Sequence, residues 1–320
     1  MQAHFWGTRG SLPVAAEGAA IREKIKYALL KANGRRFDGA GAVERFIDSE
    51  LEFPTRATYG GNSSCMEIIG GDHYTLCDMG SGLRCFGQQI IRKHGPSQPQ
   101  IYNFFMSHVH WDHIMGFPFF MPAYILGNTI RIHGGHDLTV LEEAFRRQQS
   151  TPCFPVQWQH LGANIDFVHL EPDRWHDIDG LRVKLKLQTH PGGSYGYRFE
   201  QHGKALVYST DAEHKLQSET ETQAMVEFYR NADLVVFDAQ YSLNEMVTSK
   251  EDWGHSSNIV GVDLCLRAGV KHYCMFHHEP AHGDETLHKV LGETRRYAEI
   301  VGEGHPLQVS AAYDGLVIDL

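Results

Sequence analysis

Four metal-ligand side chains lie within six residues of the stretch MSHVHWDHIMGF: His108, His110, Asp112 and His113. In a chain with 21 histidines, the spacing H-x-H-x-D-H arises by chance in on the order of 1% of sequences. Just past the end of a strand, residues two apart point the same way, so His108 and His110 can bind one ion together. After the turn, Asp112 and His113 can begin a second site. The hexapeptide therefore predicts metal binding.

Further ligand types follow later strand-like runs. His190 ends LQTH, Asp211 ends VYSTD, and His277 and His278 end CMFHH. Alone, a histidine at a strand end is usually a surface residue, and Asp211 could form an Asx turn. Two ions need about four donors each, and the recurrence of strand followed by ligand favours one shared site. Of His277 and His278, only one is expected to be a metal ligand.

The elements that must position these residues are short β-like runs bounded by Gly, Pro, Asn and Asp. The runs are AHFWG, CMEIIGG, YTLCDMG, IYNFFMSH, NTIRIHG, IDFVHL, LRVKLKLQTH, YGYRFE, KALVYSTD, ADLVVFDAQ and KHYCMFHH. Helical patterns cover Ala19–Ala32, Ala42–Leu51, Leu138–Gln149, Thr220–Asn231, Ser256–Ala268 and Asp284–Ile300. Strands in groups with helices between them predict an α/β protein of two sheets with outer helices, in a single domain of residues 1–320.

Residues 15–58 stand apart as a helical insertion between the first turn and the second strand. AAIREKIKYALLKANG has a helical apolar period and a Gly stop, and AVERFIDSELEF is a second helical stretch. We expect this segment to provide packing or a homodimer contact. The alternative is a lid over the site.

Charge and composition limit the partners. A formal net charge of −10 disfavours a nucleic acid polymer, which clustered Lys and Arg would bind, but permits a small anionic substrate. The six cysteines form no C-x-x-C pair, which argues against a thiolate zinc site, and most are expected to be buried apolar residues. No apolar run spans a membrane and no signal peptide is recognised, so the cytoplasm is the expected location.

The order of these motifs resembles the metallo-β-lactamase superfamily. H-x-H-x-D-H is followed by a lone His, Asp and His at strand ends, FWGTRGS and YGGNSSC look like the opening hairpin, and CDMGSGLR looks like the first motif, with Asp78. The resemblance implies an αββα sandwich with a dinuclear site at one edge. HPGGSYGYRFE, YSTDAE and WGHSSNIVGVDLCLRAGVKHYCMFHH are closest to the ribonuclease Z-like branch. That branch selects His277 over His278 as the ligand and singles out His255.

Departures from the family pattern narrow the function. Trp111 stands where ribonuclease Z usually has Gly, and no basic, Gly- and Pro-rich arm for transfer RNA is recognised. True β-lactamases have a cysteine at the position of Asp211, which argues against antibiotic hydrolysis. The branch also contains cyclic-nucleotide and small-molecule phosphodiesterases, which need no arm. The leading hypothesis is therefore hydrolysis of a small phosphodiester such as a cyclic nucleotide.

The resemblance also implies the role of each residue. It assigns His108, His110 and His190 to metal one, Asp112, His113 and His277 to metal two, and Asp211 to the bridge. Donors without thiolate favour Zn²⁺, with Mn²⁺ or Fe as alternatives. Asp112, Asp211 and His255 are the predicted catalytic residues, with His255 as general acid, although the His255 turn could instead only cap a helix through Ser256 or Ser257. Asp78 is expected to orient the histidine loop, or else to be a turn aspartate.

Other residues and other functions stay open. His278, His282 and Asp284 could line the pocket, but a solvated loop is slightly favoured. Trp111, Phe117, Phe119 and Phe120 could form an apolar wall that stacks on a base, although aromatic residues in GFPFF are more often core. Tyr195, Arg198 and His214 lie near ligand motifs, and Arg198 could pair with a phosphate or form a surface ion pair. Alternative activities are ester or lactone hydrolysis at the same metals and endonucleolytic RNA processing. A redox or binding protein that keeps the metal is a further class, but a flavin domain has no room in the chain.

Overall fold

The computed structural model describes residues 1–215, 218–250 and 252–320, without the side chains of Val247 and Ser249. The strands are β1 Gln2–Gly7, β2 Cys65–Ile69, β3 Tyr74–Cys77, β4 Ile101–Phe105, β5 Thr129–Gly134, β6 Asn164–His169, β7 Trp175–Ile178, β8 Leu181–Gln188, β9 Ser194–Gln201, β10 Lys204–Ser209, β11 Leu234–Asp238, β12 His272–Phe276, β13 Gln308–Ala311 and β14 Val317–Asp319. The helices are α1 Gly18–Lys31, α2 Ala40–Glu50, α3 Phe53–Arg56, α4 Leu83–His94, α5 Trp111–Ile114, α6 Leu138–Gln148, α7 Glu219–Tyr229, α8 Leu243–Glu245, α9 Asn258–Ala268 and α10 Asp284–Val301. Short 3₁₀ turns cover Phe117–Phe119, Met121–Tyr124 and Trp158–His160, and a π turn covers Met246–Lys250.

Two seven-stranded sheets face each other. The first has the order β14-β1-β2-β3-β4-β5-β6, and the second has the order β13-β12-β11-β10-β9-β8-β7. β3 to β6 run parallel in the first sheet, as do β10 to β13 in the second. β1 pairs antiparallel with β2, and β8 pairs antiparallel with both β7 and β9. The predicted α/β class with two sheets and outer helices is confirmed.

Three apolar clusters hold four layers together. One cluster fills the space between the sheets, with Phe5 and Phe105 from the first sheet meeting Tyr197 and Val236 from the second. A second cluster packs α7, α9 and α10 onto the outer face of the second sheet. A third packs α4 and α6 onto the outer face of the first sheet. Because each parallel strand is covered on both faces, these strands read as nearly continuous apolar runs such as LVVFD.

The predicted strands and helices all occur, with ends that shift by one or two residues in most cases. Helix α4 and the strands β7, β13 and β14 were not predicted. Helix α4 did carry a helical signal, since its buried residues Leu83, Phe86, Gly87 and Ile90 follow the spacing i, i+3, i+4, i+7. The three strands are only three or four residues long, too short for a period-2 pattern to stand out.

The insertion is helical, as predicted, with α1 and α2 followed by the single turn α3. Helix α1 buries no residue, and Ile25, Leu29 and Leu30 on it are exposed. Two contacts attach the insertion to the rest of the protein. Phe53, near its end, packs against the core beside the second sheet. Lys24 in α1 forms an ion pair with Asp284. Within the described residues, no helix has both the length and the apolarity to cross a membrane.

The carboxyl ends of the parallel strands meet at one edge of the sandwich. His108 follows β4, Asp211 follows β10, and His277 follows β12. Asp211 and His277 adopt positive φ angles of 48° and 60°, and Asp78 after β3 has a φ of 60°. This conformation costs a non-glycine residue on the order of 1 kcal/mol or more, and such strain concentrates at functional sites. The chain turns sharply at these strand ends and presents polar side chains at the common edge.

Candidate metal centre

The histidine loop, residues 108–113, is held against the first sheet by hydrogen bonds. His110 precedes the single helical turn α5, which carries Asp112 and His113 as buried residues. The turn is held from behind, because the Ser63 hydroxyl donates to the Asp112 carbonyl at 2.7 Å and the Met79 amide donates to the His113 carbonyl at 2.7 Å. The loop is therefore shaped by backbone contacts that leave the ligand side chains free.

One group of possible ligands comprises His108, His110, His190 and Asp211, whose donor atoms all lie within 4.8 Å of one another. His190 Nε2 lies 3.1 Å from His110 Nδ1. His108 Nε2 lies 3.6 Å from Asp211 Oδ2, and His190 Nε2 lies 3.7 Å from the same oxygen. His110 is exposed at the rim, whereas His108 and Asp211 are buried. The structure thus brings together the three histidines predicted for metal one.

The second group comprises Asp112, His113 and His277. His113 Nε2 and His277 Nε2 are 3.3 Å apart, and each lies within 3.3 Å of Asp112 Oδ2. All three side chains are buried. The structure brings together the three residues predicted for metal two.

Asp211 lies between the two groups and divides its oxygens between them. Its Oδ1 is 3.2 Å from both His113 Nε2 and His277 Nε2, while its Oδ2 faces His108 and His190. The side chain is 2% exposed. A carboxylate with one oxygen on each side is the geometry expected of a residue shared by two cations.

The ligand imidazoles are oriented by hydrogen bonds on their outer nitrogens. His113 Nδ1 donates to Asp78 Oδ2 at 2.8 Å, and His190 Nδ1 donates to the Gly254 carbonyl at 2.7 Å. His277 Nδ1 lies 3.1 Å from Gln240 Oε1. Because a neutral imidazole carries one N–H, these bonds leave the Nε2 lone pairs of the three rings pointing into the site.

Asp78 is the centre of a buried hydrogen-bond network. Besides His113, its carboxylate accepts from the Ser107 amide and hydroxyl at 2.8 and 2.7 Å and from the Tyr208 hydroxyl at 2.8 Å. Its contacts are those of a residue that holds the histidine loop in position.

The charges of the site favour a cation. Burial alone would raise the pKa of Asp211, but the surrounding imidazoles of His113, His277 and His108 hold it well below its ordinary value. Burial opposes protonation of His113, yet Asp211, Asp112 and Asp78 together raise its pKa well above its ordinary value. For His108, burial and the neighbouring histidines lower the pKa. Converging carboxylates create a negative potential at the centre of the site.

The residues present fit divalent metal ions. His108 Nε2 is buried and has no hydrogen-bond partner among the described residues, although a buried imidazole nitrogen requires one. The Nε2 atoms of His113 and His277 face each other with no proton between them once their Nδ1 atoms donate outward. Lone pairs and carboxylate oxygens that converge in this way need a positive charge at their centre, and no cysteine takes part.

His255 borders the site and is held by Asp238. His255 Nδ1 donates to Asp238 Oδ2 at 2.9 Å, and the His255 ring lies 5.1 Å from the ring of His277 and 5.2 Å from that of His190. Burial opposes protonation of His255, but the Asp238 carboxylate raises its pKa to about 9. His255 also forms a group within ligand distance with Asp211 and His277. Helix α9 is capped by Ser257, which accepts from the Val260 amide, and not by His255.

Gly10 in the GTRG motif packs directly on a ligand. A Cβ atom at Gly10 would lie 2.5 Å from two atoms of the His277 ring, so no larger residue fits without moving the imidazole. The neighbouring Arg9 is buried and donates to the carbonyls of Gly60, Glu279 and His282. The first turn of the chain therefore braces the strand end that carries His277.

Asp238 and Gln240 are site residues that the sequence reasoning missed. Asp238 is fully buried at the end of β11, where it accepts from the Ala212 amide as well as from His255. Its signal was present, since ADLVVFDAQ follows the same pattern of strand and then ligand type that pointed to Asp211. Gln240 had no comparable signal, because an amide at a strand end is common in loops.

The remaining candidates separate into structural and exposed residues. His278 is fully buried and its Nε2 lies 2.8 Å from the Ala312 carbonyl, so the solvated loop favoured for it is wrong. His282 is half-buried in the loop that follows, with its Nε2 2.8 Å from Glu245 Oε1. Arg198 donates to Glu200 and to the Phe228 and Arg230 carbonyls. The other members divide as follows: Phe117 and Phe120 are core residues, Trp111 and Phe119 are exposed, His214 is half-buried beside Tyr229, Tyr195 is half-buried, and Asp284 pairs with Lys24.

Known proteins resemble this chain in sequence and in fold. The family model described as "Beta-lactamase superfamily domain" matches residues 73–278, a span that contains all seven candidate ligands. Ribonuclease Z from Thermoplasma acidophilum is 23% identical over 269 residues, which cover 68% of this chain and 80% of that protein.

Solved structures with the same fold cover between 81% and 100% of this chain. The metallo-β-lactamase fold protein YhfI from Bacillus subtilis has a TM-score of 0.62 at 16% identity and covers 99% of both chains. A diphosphatase from the PhnP family has a TM-score of 0.59 at 16% identity, covering 100% of this chain and 97% of its own. Yeast PDE1 has a TM-score of 0.59 at 15% identity, covering 81% of this chain and 95% of its own.

Proposed function

This chain belongs to the β-lactamase superfamily as a metal-dependent hydrolase, and from that membership we propose that it is a dinuclear phosphodiesterase acting on a small phosphodiester such as a cyclic nucleotide. One observation carries the proposal. Asp211 divides its carboxylate oxygens between two groups of imidazoles, and the His255–Asp238 pair stands beside the gap between them. This arrangement offers room for two cations and a separate proton donor.

We assign His108, His110 and His190 to one cation and Asp112, His113 and His277 to the other, with Asp211 shared. When bound, two such cations lower the pKa of a water molecule and offset the negative charge that develops on phosphoryl oxygens. Nitrogen and carboxylate donors favour Zn²⁺, with Mn²⁺ or Fe as alternatives. Buried hydrogen bonds from Asp78 and Gln240 orient the rings of His113 and His277 for this role.

His255 supplies the proton in the proposed reaction. Cleavage of a diester leaves an alkoxide that must be protonated, and an imidazole at the substrate edge of the site can act as a general acid. Asp238 binds Nδ1, so Nε2 is the nitrogen available to the leaving oxygen, and the carboxylate stabilises the protonated ring.

A small substrate is favoured by the charge of the chain. With 29 Lys and Arg against 39 Asp and Glu, the protein has no general attraction for a polyanion. Ribonuclease Z-type endonuclease activity remains the second candidate, because a ribonuclease Z matches 68% of the chain. We further propose that residues 1–320 act as one domain in which residues 15–58 are an insertion.

A substrate panel tests the proposal. The purified protein, stripped of metal and reloaded with Zn²⁺ or Mn²⁺, is assayed on 3′,5′-cyclic AMP, bis(p-nitrophenyl) phosphate, a γ-lactone and a precursor transfer RNA, with the stripped protein as control. We expect metal-dependent hydrolysis of the small diesters. Lactone turnover without diester turnover would replace the proposal by ester hydrolysis, and faster cleavage of the precursor RNA would replace it by endonuclease activity.

A further inference from the structure

An apolar cleft lies against the histidine loop, and we propose that it binds the aromatic base of the substrate. The inference rests on the proposed phosphodiesterase function and makes its substrate class narrower, namely a phosphodiester of a nucleoside. The cleft has a volume of about 590 Å³ and lies between the loop that follows His108 and helix α6. Sites for small molecules typically measure about 300–1,000 Å³, so one nucleobase fits with its sugar.

Two residues that line the cleft are chain neighbours of the candidate ligands. Trp111, which lines the cleft, stands between the candidate ligands His110 and Asp112 in the chain, and Val109 lines it from between His108 and His110. Consecutive Cα atoms are about 3.8 Å apart, so the wall of the cleft begins one residue from ligands on both sides. Residues that line the cleft and candidate ligands therefore alternate along the histidine loop.

Exposed aromatic rings form the walls. Trp111 is 66% exposed and Phe119 is 55% exposed, whereas Phe117 and Phe120 of the same segment are fully buried. Phe119 meets Phe154 edge to face, with ring centroids 5.5 Å apart. Large exposed aromatic side chains are suited to stacking on a planar ligand. Stacking on an aromatic ring stabilises the binding of any of the nucleobases, because each has a π face.

Two charged side chains, Arg147 and Glu143, also line the cleft. Arg147 on α6 lines the cleft, and its guanidinium has no ion-pair partner in the part of the chain that the structure describes. By contrast, the preceding Arg146 pairs with Glu142. Glu143, one turn before Arg147, also lines the cleft. The Arg147 guanidinium can donate to the polar edge of a nucleobase, and the Glu143 carboxylate can accept from it. An aliphatic ligand would leave both groups without a hydrogen-bond partner.

Adenosine provides a direct test, because it carries the base and sugar without the phosphate. Its affinity is measured by calorimetry on the metal-loaded protein and on the variants Phe119→Ala and Val140→Asp. Both positions are exposed in the cleft, so the fold should be retained, and circular dichroism verifies this. We expect a roughly 5- to 100-fold loss of adenosine affinity on removal of the Phe119 ring. Leu126→Ala, at an apolar residue that is 87% exposed and outside the cleft, is the matched control and should bind adenosine as the wild type does.

The outcomes separate the cleft from the proposed activity. Adenosine affinity that is undetectable in the wild type, or unchanged in both cleft variants, overturns the assignment of the cleft even if small diesters are hydrolysed. Adenosine binding that depends on Phe119, in a protein that hydrolyses no diester of the panel, overturns the phosphodiesterase proposal and with it the cleft's role in a substrate. Support requires both the loss of adenosine affinity and a parallel loss of kcat/KM for cyclic AMP.

Discussion

The imidazole Nδ1 of His255 lies 2.9 Å from Oδ2 of Asp238, although 17 positions separate the two residues in the chain. The loop that contains His255 precedes α9, and Asp238 is the last residue of β11. Asp238 also accepts from the Ala212 amide at 3.0 Å, next to the shared carboxylate of Asp211. The buried aspartate therefore positions the proposed acid and the proposed bridge relative to each other.

Replacing His255 should slow the reaction according to the leaving group. His255→Ala is expected to lower the hydrolysis of cyclic AMP by about 10²- to 10⁴-fold, because the alkoxide then leaves without a proton donor. Metal content, measured by elemental analysis, should not change. On bis(p-nitrophenyl) phosphate, whose phenolate needs no proton, the loss should be small, and an equal loss on both substrates would exclude the role of general acid.

Asp238→Asn tests the positioning of that acid. The amide keeps the size of the side chain but removes the charge that raises the pKa of His255 to about 9. The pKa of His255 should fall, so the protonated form is lost at lower pH and the alkaline limb of the pH–rate profile for cyclic AMP should move to lower pH. A profile identical to that of the wild type would show that Asp238 is only a structural residue.

Loss of Asp211 should disturb both cation sites at once. Its Oδ1 faces His113 and His277 while its Oδ2 faces His108 and His190, so Asp211→Ala removes a donor from each group. We expect the purified variant to hold fewer than two metal ions per chain under conditions that saturate the wild type. The measurement is metal content after dialysis, and retention of two tightly held ions would contradict the bridge.

Gly10→Ala should weaken binding at one cation site through His277. The added methyl group would lie 2.5 Å from the His277 ring, which must rotate away from Asp112 and Asp211. Metal titration should show one weakened site and one unchanged site. Gly292→Ala is the matched control, because a Cβ there meets no atom within 4 Å, and its metal affinity should equal that of the wild type.

Stability should decrease below neutral pH because of histidines buried away from the metal centre. Burial lowers the pKa of both His133 and His272 from 6.5 to about 4. Between pH 6.5 and about pH 4, these histidines are protonated in the unfolded chain but neutral in the folded chain. The free energy of unfolding therefore falls by up to about 1.4 kcal/mol per pH unit for each residue as the pH is lowered through this range. Urea unfolding at pH 7 and pH 5 measures this loss.

A histidine substitution assigns the effect. In His133→Gln, an amide can keep the contact with Asn103 but cannot be protonated, so the difference in unfolding free energy between pH 7 and pH 5 should shrink. If the variant loses as much stability on acidification as the wild type, His133 does not contribute to the pH dependence.

The sequence by itself determined the elements and the types of ligand. Strands such as LVVFD are recognisable as apolar runs, and helix α10, Asp284–Val301, is recognisable by its helical spacing of apolar residues. Both patterns are local in the sequence because the faces that become buried need apolar side chains. The six-residue cluster at His108 and the lone ligands after three strands identify metal-binding residues for a similar reason. Their chemistry is carried by each side chain alone, and their order matches a known family.

Tertiary structure decided which of these residues meet and which do not. His277 and His278 are neighbours in sequence, yet the strand end at a φ of 60° turns the first ring into the site and the second into the core against Ala312. Gly10 reaches His277 because the two sheets pack face to face, and Asp238 reaches His255 because the loop between β11 and α9 returns to the end of β11. Phe119 is exposed and Phe120 buried one residue apart. Contacts between residues distant in the chain depend on how whole layers pack, and a local pattern carries no information about that.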